Sequence, residues 1–145
     1  MRDSRLKSTP YYEFTNVNPR NRICGDCVIR AIALVTGQSW ETTVREMTEM
    51  GIKKGLVLND KDLYPEYLKS KGFVECKEPR DMNNRKMSVE DYLHYTCFGM
   101  DPEKINFVAN VGSHHVAAVK NGKVRDIWNS SRETLHKYWV KPKIV

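Results

Sequence analysis

The chain has no apolar run long enough to cross a membrane, and its first residues do not have the pattern of a signal peptide. A bilayer-spanning helix needs about 20 consecutive apolar residues, and no segment of the 145-residue chain approaches that length. Residues 1–8 are polar and lack the apolar core of a secretory leader. We therefore expect a cytoplasmic protein with no membrane partner.

Cysteine is scarce. The four cysteines are unevenly spaced, at Cys24, Cys27, Cys76 and Cys97. So few thiols with such spacing do not suit a disulfide framework, and cytosolic thiols stay reduced. The cysteines are therefore candidates for chemistry or core packing rather than for cross-linking.

Blocks of like charge are also missing. The net charge is +6, yet no run of five or more lysines and arginines occurs. Scattered basic residues are more typical of a solvated surface than of a nucleic-acid-binding face. The charge pattern therefore does not favour a nucleic-acid partner.

What is present is the composition of an ordinary globular domain. Hydrophobic residues make up 40% of the chain and charged residues 29%, which allows a packed core. No internal repeat or long linker divides the chain, so we predict one domain over residues 1–145. Residues 1–20 are polar and rich in turn formers, which predicts an extended N-terminal arm.

The first half of the chain carries helical signals. Asp26 is a suitable N-cap and Gly37 a suitable stop for a first helix, whose broad apolar surface indicates a central, largely buried position. Three more helices are predicted over residues 39–50, ended by Gly51, over 60–71 and over 88–95.

The second half changes to strand patterns. Strands are predicted over residues 105–111, 115–120, 123–128 and 138–140. Asn121-Gly122 predicts a type I′ hairpin turn, because both residues accept a positive φ. Helices followed by hairpin-linked strands indicate an α+β fold, with the first helix packed on a C-terminal antiparallel sheet.

One cysteine stands at the expected start of the first helix. A thiol reacts as its thiolate, and a helix N-terminus lowers the pKa of a thiol through unpaired N–H groups and the helix dipole. Cys27 follows the predicted N-cap and so lies in the first turn, whereas Cys24 precedes the helix. Cys27 is therefore the candidate nucleophile, and a buried core thiol is the alternative.

Two adjacent histidines begin the predicted hairpin. With Asn121-Gly122 as a two-residue loop, the alternation of side chains places His115 and Asp126 on one face and His114 and Asn129 on the other. Asp126 is diagonal to His115, at about 7–8 Å between backbone positions, which side chains can span. Each histidine thus has a partner that would orient its imidazole toward a thiolate.

These segments resemble those of papain-like cysteine peptidases. Cys24-Gly25-Asp26-Cys27 is similar to the family's Cys-Gly-Ser-Cys segment, whose second cysteine is the nucleophile at the start of the central helix. The family's oxyanion-hole glutamine lies six residues before the nucleophile, and this position is Asn21, a comparable amide donor. His114 to Val119 resembles the histidine strand, and Trp128-Asn129-Ser130 resembles the asparagine segment.

The resemblance is closer to short papain-fold proteins of phages and Gram-positive bacteria. Those proteins have a Gly-Asp-Cys-Val-x-Arg-Ala helix start, a histidine strand ending in Asp/Asn-Gly, and an Asp-x-Trp-Asp/Asn segment. The corresponding segments are Gly25 to Ala31, His115 to Gly122 and Asp126 to Asn129. The chain departs from the long papain-like enzymes in its length, in having no aromatic residue after Cys27, and in having no oxyanion-hole glutamine.

The closer pattern implies that His115 and Asp126 serve Cys27, and a carboxylate stabilises imidazolium better than an amide does. The long enzymes instead favour His114 and Asn129, which stay as alternates. The implied function is a cysteine hydrolase that cleaves a peptide, isopeptide or side-chain amide bond through a thioester. It implies no cofactor and no metal, and deamidation or acyl transfer would use the same apparatus. The implied substrate is a protein or peptide, and a phage origin would make it a host protein in the bacterial cytoplasm.

Three other interpretations use the same residues. Cys24 and Cys27 would form a redox pair in a thioredoxin-like fold, although the segment before Cys24 is a poor strand. Cys24, Cys27 and both histidines would supply four zinc ligands, although histidines on opposite faces of a strand point badly for one ion. A non-catalytic papain-fold protein, such as a mobile-element inhibitor of host machinery, would bind a partner protein or nucleic acid and would tolerate loss of nucleophile or base.

Overall fold

A computed structural model describes residues 7–142, which form an α+β fold. The first residues examined for a signal peptide, 1–6, lie outside the described part. The helices are α1 (Cys27–Thr36), α2 (Trp40–Lys54), α3 (Leu63–Ser70) and α4 (Val89–Asp91), which continues into a π-helical turn, Tyr92–Thr96. The strands are β1 (Tyr12–Phe14), β2 (Val74–Cys76), β3 (Phe107–Val111), β4 (His115–Lys120), β5 (Lys123–Asp126) and β6 (Leu135–Val140). No helix within this range is long and apolar enough to cross a membrane.

All six strands join one mixed sheet, in the order β1-β5-β4-β3-β6-β2. Neighbouring strands are antiparallel except β1 and β5, which run parallel. The prediction of an antiparallel sheet of C-terminal strands is therefore wrong in two respects: β1 runs parallel to β5, and both edge strands, β1 and β2, come from the part of the chain before the predicted strands. β1 comes from the segment predicted as an extended arm, and Tyr12 within it is fully buried. Strands of three residues are too short to show the alternation by which a strand is recognised in sequence.

The predicted hairpin between β4 and β5 is confirmed. Asn121 and Gly122 have φ values of 53° and 73°, as a type I′ turn requires. The paired residues are those predicted: Lys120 with Lys123, Val119 with Val124 and Ala118 with Arg125. However, β5 ends at Asp126, two residues earlier than predicted.

Helix α1 occupies the central position that its apolar surface predicted. Its buried residues are Ile29, Arg30, Ala31, Ile32 and Ala33. It packs along β4, where Ala118 faces it and permits a close approach of helix to sheet. The helix begins after Asp26 and ends at Gly37, whose φ of 77° is the left-handed value of a helix stop. The Asp26 side chain does not cap the helix, contrary to the expectation for an N-cap aspartate.

The predicted end of the second helix is wrong. Helix α2 runs through Gly51 to Lys54, and Gly55 ends it with a φ of 72°. Gly51 has a different role, because a side chain there would collide with the carbonyl oxygen of Leu56. Helix α3 also begins later than predicted, at Leu63.

The sheet is covered on both faces. One apolar cluster joins helices α1, α2 and α3 to one face and includes Ile32, Met47, Leu68, Val108, Val116 and Trp139. The other joins α4 and its π-helical turn to the opposite face and includes Tyr12, Val89, Phe107, Val119, Val124 and Leu135. Burial of β4 on both sides fixes the position of its first residue relative to the start of α1.

Candidate active site

The N-terminus of α1 lies beside the start of β4, which brings Cys27 and His115 together. Both residues are partly buried, and the His115 side chain is 17% exposed. The His115 imidazole lies close enough to the Cys27 sulfur to favour its ionised form. The backbone N–H of Val116 lies close to the sulfur as well and acts in the same direction.

The early end of β5 leaves Val116 without a partner residue in that strand. In a two-residue hairpin, alternate residues of each strand direct their backbone groups at the partner strand. Ala118 pairs with Arg125, so Val116, two residues away, directs its N–H toward the same side. Because β5 ends at Asp126, the N–H of Val116 lies near the Cys27 sulfur instead of facing a β5 residue.

His115 is held from its other side by Asp126. The distance between His115 Nε2 and Asp126 Oδ2 is 2.6 Å, and the Asp126 side chain is only 1% exposed. With Nε2 engaged, Nδ1 is the nitrogen left to face the thiol. The Trp128 ring lies against the imidazole, with centroids 4.9 Å apart.

Both oxygens of Asp126 are fully occupied. Oδ1 accepts hydrogen bonds from Arg30 Nη1 at 3.0 Å and from the Ile127 backbone N–H at 2.8 Å. Oδ2 contacts His115 and accepts a bond from Ser130 Oγ at 2.6 Å. Burial would raise the pKa of this carboxyl, but His115, Ser130 and Arg30 together hold its pKa below the ordinary value. Asp126 is therefore an ionised, immobile acceptor for the histidine.

The pKa shifts of the thiol and the imidazole are opposite and mutually supportive. Burial would raise the pKa of the Cys27 thiol, but the hydrogen bonds from His115 and Val116 and the charges of His115 and Arg30 lower it overall. Burial would lower the pKa of His115, but Asp126 and Cys27 raise it to about 9. Both shifts therefore favour the thiolate–imidazolium form of the pair, which titrates as a unit.

The alternate pair, His114 and Asn129, is not brought together around Cys27. His114 has a φ of 77° in the exposed turn before β4, so it is not part of the strand on which its predicted face depended. Asn129 Oδ1 accepts a hydrogen bond from the Ser131 backbone N–H at 3.1 Å and caps a 3₁₀ turn, Ser130–Arg132. His114 is therefore part of a left-handed turn and Asn129 is part of a 3₁₀ cap, and the two do not meet at Cys27.

Asn21, the predicted oxyanion donor, lies in an exposed loop before α1. It has a φ of 54°, and its backbone N–H donates to the Asn18 carbonyl. Its side-chain amide makes no hydrogen bond to any residue in the described part of the chain, so the amide is available to a ligand. The structure gives no contact between Asn21 and Cys27.

The loop that carries Asn21 is held in place by Asn18, which the sequence did not single out. Asn18 is 6% exposed, and its Oδ1 accepts hydrogen bonds from the backbone N–H groups of Arg20 at 3.0 Å and Arg22 at 3.3 Å. Its Nδ2 donates to Asp26 Oδ2 at 3.1 Å. The available signal was Asn18-Pro19, which is typical of a turn but does not indicate burial.

Two further residues at the site were missed. Arg30 and Ser130 both donate to Asp126. A single arginine within the apolar run of α1 was a usable signal, because an unpaired charge is not buried in a core. Ser130 belongs to the segment that resembles the family's asparagine segment, but nothing in the sequence indicated that its hydroxyl would donate to Asp126.

The zinc and redox interpretations lack their structural requirements. Residues 7–142 hold no group of three or more histidine, cysteine, aspartate or glutamate side chains placed to bind a metal ion. The redox interpretation needs a strand directly before Cys24, and residues 15–23 form none. Cys24 is an exposed free thiol and Cys27 a partly buried one.

Comparison with known protein families, curated proteins and solved structures finds no match for this chain. The chemistry of the site is therefore read from its own contacts. These are a thiol at a helix N-terminus, an imidazole close to it, and a buried carboxylate hydrogen-bonded to that imidazole. Such a series can generate a nucleophile at neutral pH and can move a proton between sulfur and a reacting group.

Proposed function

We propose that this protein is a papain-like cysteine hydrolase, with Cys27 as nucleophile, His115 as acid and base, and Asp126 as the residue that orients the base. The observation that carries the proposal is the 2.6 Å hydrogen bond between His115 and the buried Asp126, with the Cys27 sulfur close to the imidazole. Burial of the carboxylate and the opposite pKa shifts of thiol and imidazole support it. These are the properties that an activated thiol needs.

The position of the site in the fold supports the papain-like part of the proposal. The thiol is at the N-terminus of the central helix α1, and the base is at the start of β4, against which that helix packs. This arrangement agrees with the one that the sequence resemblance implies. The chain order of nucleophile, histidine and carboxylate agrees with it as well.

In the first half of the reaction, the Cys27 thiolate attacks the carbonyl carbon of an amide. A carbon–sulfur bond forms, and the π electrons of the carbonyl move to its oxygen. The Cys27 backbone N–H, at a helix position without an intrahelical acceptor, and the Asn21 amide would stabilise this oxyanion. A donor of this kind contributes about 3–4 kcal/mol. The His115 imidazolium then gives its proton to the leaving nitrogen as the carbon–nitrogen bond breaks.

In the second half, water releases the acyl group. Neutral His115 takes a proton from water, and the hydroxide formed attacks the thioester carbonyl. The carbon–sulfur bond breaks, the acid leaves, and the thiolate–imidazolium pair is restored. Ammonia as leaving group would make the reaction a deamidation, and an amine in place of water would make it an acyl transfer.

The proposed substrate is a peptide, isopeptide or side-chain amide bond in a protein or peptide. If the chain is of phage origin, as the resemblance suggests, the substrate is a host protein. The binding-only alternative has no observation in its favour, because nucleophile, base and orienting residue are all present and in contact.

Selective alkylation tests the proposal. Iodoacetamide at neutral pH should modify Cys27 well before the other three cysteines, as located by peptide mass spectrometry. Cys24 is the internal control, because it is the more exposed thiol and would react first if accessibility alone set the rate of alkylation. Cys97 should be slowest, because burial raises the pKa of its thiol.

Two variants complete this experiment. His115→Ala should slow alkylation of Cys27 strongly, and His114→Ala should leave it unchanged. Equal labelling of all four cysteines in the folded protein would refute the proposal that Cys27 is activated as a thiolate. Wild type and Cys27→Ala would then be compared on host lysate, with new protein termini or deamidated sites as the readout.

A further inference from the structure

We infer that Arg30 is a positioning residue of this site, which sets the placement of nucleophile and base by bridging Asp26 and Asp126. The inference rests on the proposed function, because it concerns the alignment of Cys27 with His115. It assigns a role to a charged residue in the middle of a buried helix that the reaction steps do not use.

The bridge is made by two nitrogens of one guanidinium. Arg30 Nε donates to Asp26 Oδ1 at 2.8 Å, and Arg30 Nη1 donates to Asp126 Oδ1 at 3.0 Å. All three side chains are nearly inaccessible, at 4%, 7% and 1% exposure. Because the guanidinium is planar and its nitrogens are rigidly placed, the two carboxylates are held at a set separation and angle.

The two carboxylates belong to opposite halves of the site. Asp26 is covalently joined to Cys27, and Asp126 holds the His115 ring at 2.6 Å. A ring results, which runs from Cys27 through Asp26, Arg30, Asp126 and His115 and is closed by the proximity of the His115 imidazole to the Cys27 sulfur. A change in the bridge therefore moves the thiol and the imidazole relative to each other.

Asp26 is a firm anchor for the bridge. Its Oδ2 accepts hydrogen bonds from Asn18 Nδ2 at 3.1 Å and from Trp40 Nε1 at 2.9 Å. Asn18 organises the loop that carries Asn21, and Trp40 begins helix α2. The ring is thus connected to the loop that carries the proposed oxyanion donor Asn21 and to helix α2. Because both oxygens of Asp26 are used in these hydrogen bonds, its side chain does not cap α1.

The cost of the bridge argues for a role beyond stability. A buried arginine must be fully paired, and an apolar residue of similar size often stabilises a core as well or better. The charge of Arg30 also reaches the sulfur and favours the Cys27 thiolate. The charged and titratable groups that surround it are Asp26, Asp126, His115 and Cys27.

The test is the rate of Cys27 alkylation by iodoacetamide as a function of pH, from about pH 5 to about pH 10. Arg30→Met removes the charge and the bridge, and Arg30→Lys keeps the charge but loses the two-nitrogen geometry. Arg125→Met is the matched control, because Arg125 directly precedes Asp126 but pairs with the surface residue Glu13. Circular dichroism and the urea midpoint verify the folding of each variant.

Arg30→Met should slow alkylation at pH 7 by about tenfold or more and move the acid-side midpoint of the profile to higher pH. Arg30→Lys should keep an acid-side midpoint near that of wild type, but its alkylation rate on the plateau of the pH profile should be lower. Arg125→Met should match wild type throughout. A merely structural arginine would change the urea midpoint and leave the pH profile of the folded protein in place.

Each outcome decides one point. A folded Arg30→Met with the wild-type profile overturns the inference and leaves the proposed function intact. If Arg30→Met does not fold, Arg30→Lys decides, and a wild-type midpoint and plateau in that variant overturn the inference. If Cys27 is not preferentially labelled even in wild type, the proposed function itself fails.

Discussion

Replacement of Asp126 by asparagine should uncouple His115 from the thiol while keeping the shape of the side chain. Burial alone would lower the pKa of His115 below its ordinary 6.5, yet Asp126, the largest opposing influence, and Cys27 raise it to about 9. At about 1.4 kcal/mol per pH unit, this corresponds to a preference of about 3 kcal/mol for the charged imidazole. An amide in place of the carboxylate removes the charge that supplies most of this preference.

This free-energy preference predicts the results of two measurements. The pKa of His115 in Asp126→Asn, followed by NMR of the ring protons, should fall by at least about one pH unit, because the buried imidazolium loses its counter-ion. The rate of Cys27 alkylation at pH 7 should fall by about 10- to 100-fold, because less of the thiol is paired as thiolate. Asn129→Ala is the control and should leave both quantities near their wild-type values, since Asn129 only caps the neighbouring turn.

Stability should report the same coupling through its pH dependence. A histidine with a raised folded-state pKa stabilises the native state fully below its unfolded value of about 6.5, and loses this contribution as pH rises through about 9. The Cys27 thiol, whose folded-state pKa is lowered, contributes with the opposite sign over this range, so the histidine contribution is measured in Cys27→Ala. In that variant the urea midpoint should decrease as pH rises above about 6.5, and it should decrease less when Asp126→Asn is added. A variant that kept a His115 pKa near 9 and a wild-type alkylation profile would refute the role assigned to Asp126.

Two further predictions concern the oxyanion side of the site and the packing of α2. Asn21→Ala should slow acylation of Cys27 by p-nitrophenyl acetate by about 100-fold and leave its alkylation by iodoacetamide near wild type, because an oxyanion forms only in the first reaction; equal effects on both rates would contradict this role. Gly51→Ala should lower the free energy of unfolding by about 1–3 kcal/mol, because its Cβ would collide with the Leu56 carbonyl. Gly25→Ala is its control in urea titrations, since a Cβ at Gly25 meets no atom.

Several parts of this fold could be predicted because they depend on residues close together in sequence. The limits of α1 follow from an apolar run that ends at a glycine, and the hairpin follows from Asn121-Gly122. That turn sets which residues face each other, so the closeness of His115 and Asp126 could be expected before any tertiary contact was known. The choice of Cys27 over Cys24 follows in the same way from the start of a helix.

Other parts depended on contacts between distant segments. β1 and β2 are three residues long, and each exists because a sheet edge is available to it. Glycine is typical of a helix stop, but Gly51 lies within α2, where the Leu56 carbonyl packed against it leaves no room for a side chain. Local patterns cannot distinguish these cases, because the partner that decides them lies elsewhere in the chain or in the packing around it.

By itself, the sequence determined a thiol at the start of a buried helix, a hairpin whose register is set by its turn, and residue types that resemble those of cysteine hydrolases. The tertiary structure decided which of the two histidines contacts that thiol, because the left-handed φ at His114 and the early end of β5 leave His115 and the Val116 N–H at the sulfur. It alone joined Arg30 to Asp126, 96 residues apart in the chain. A buried charge must find its partners wherever the packed chain places them, and no spacing along the sequence encodes that meeting.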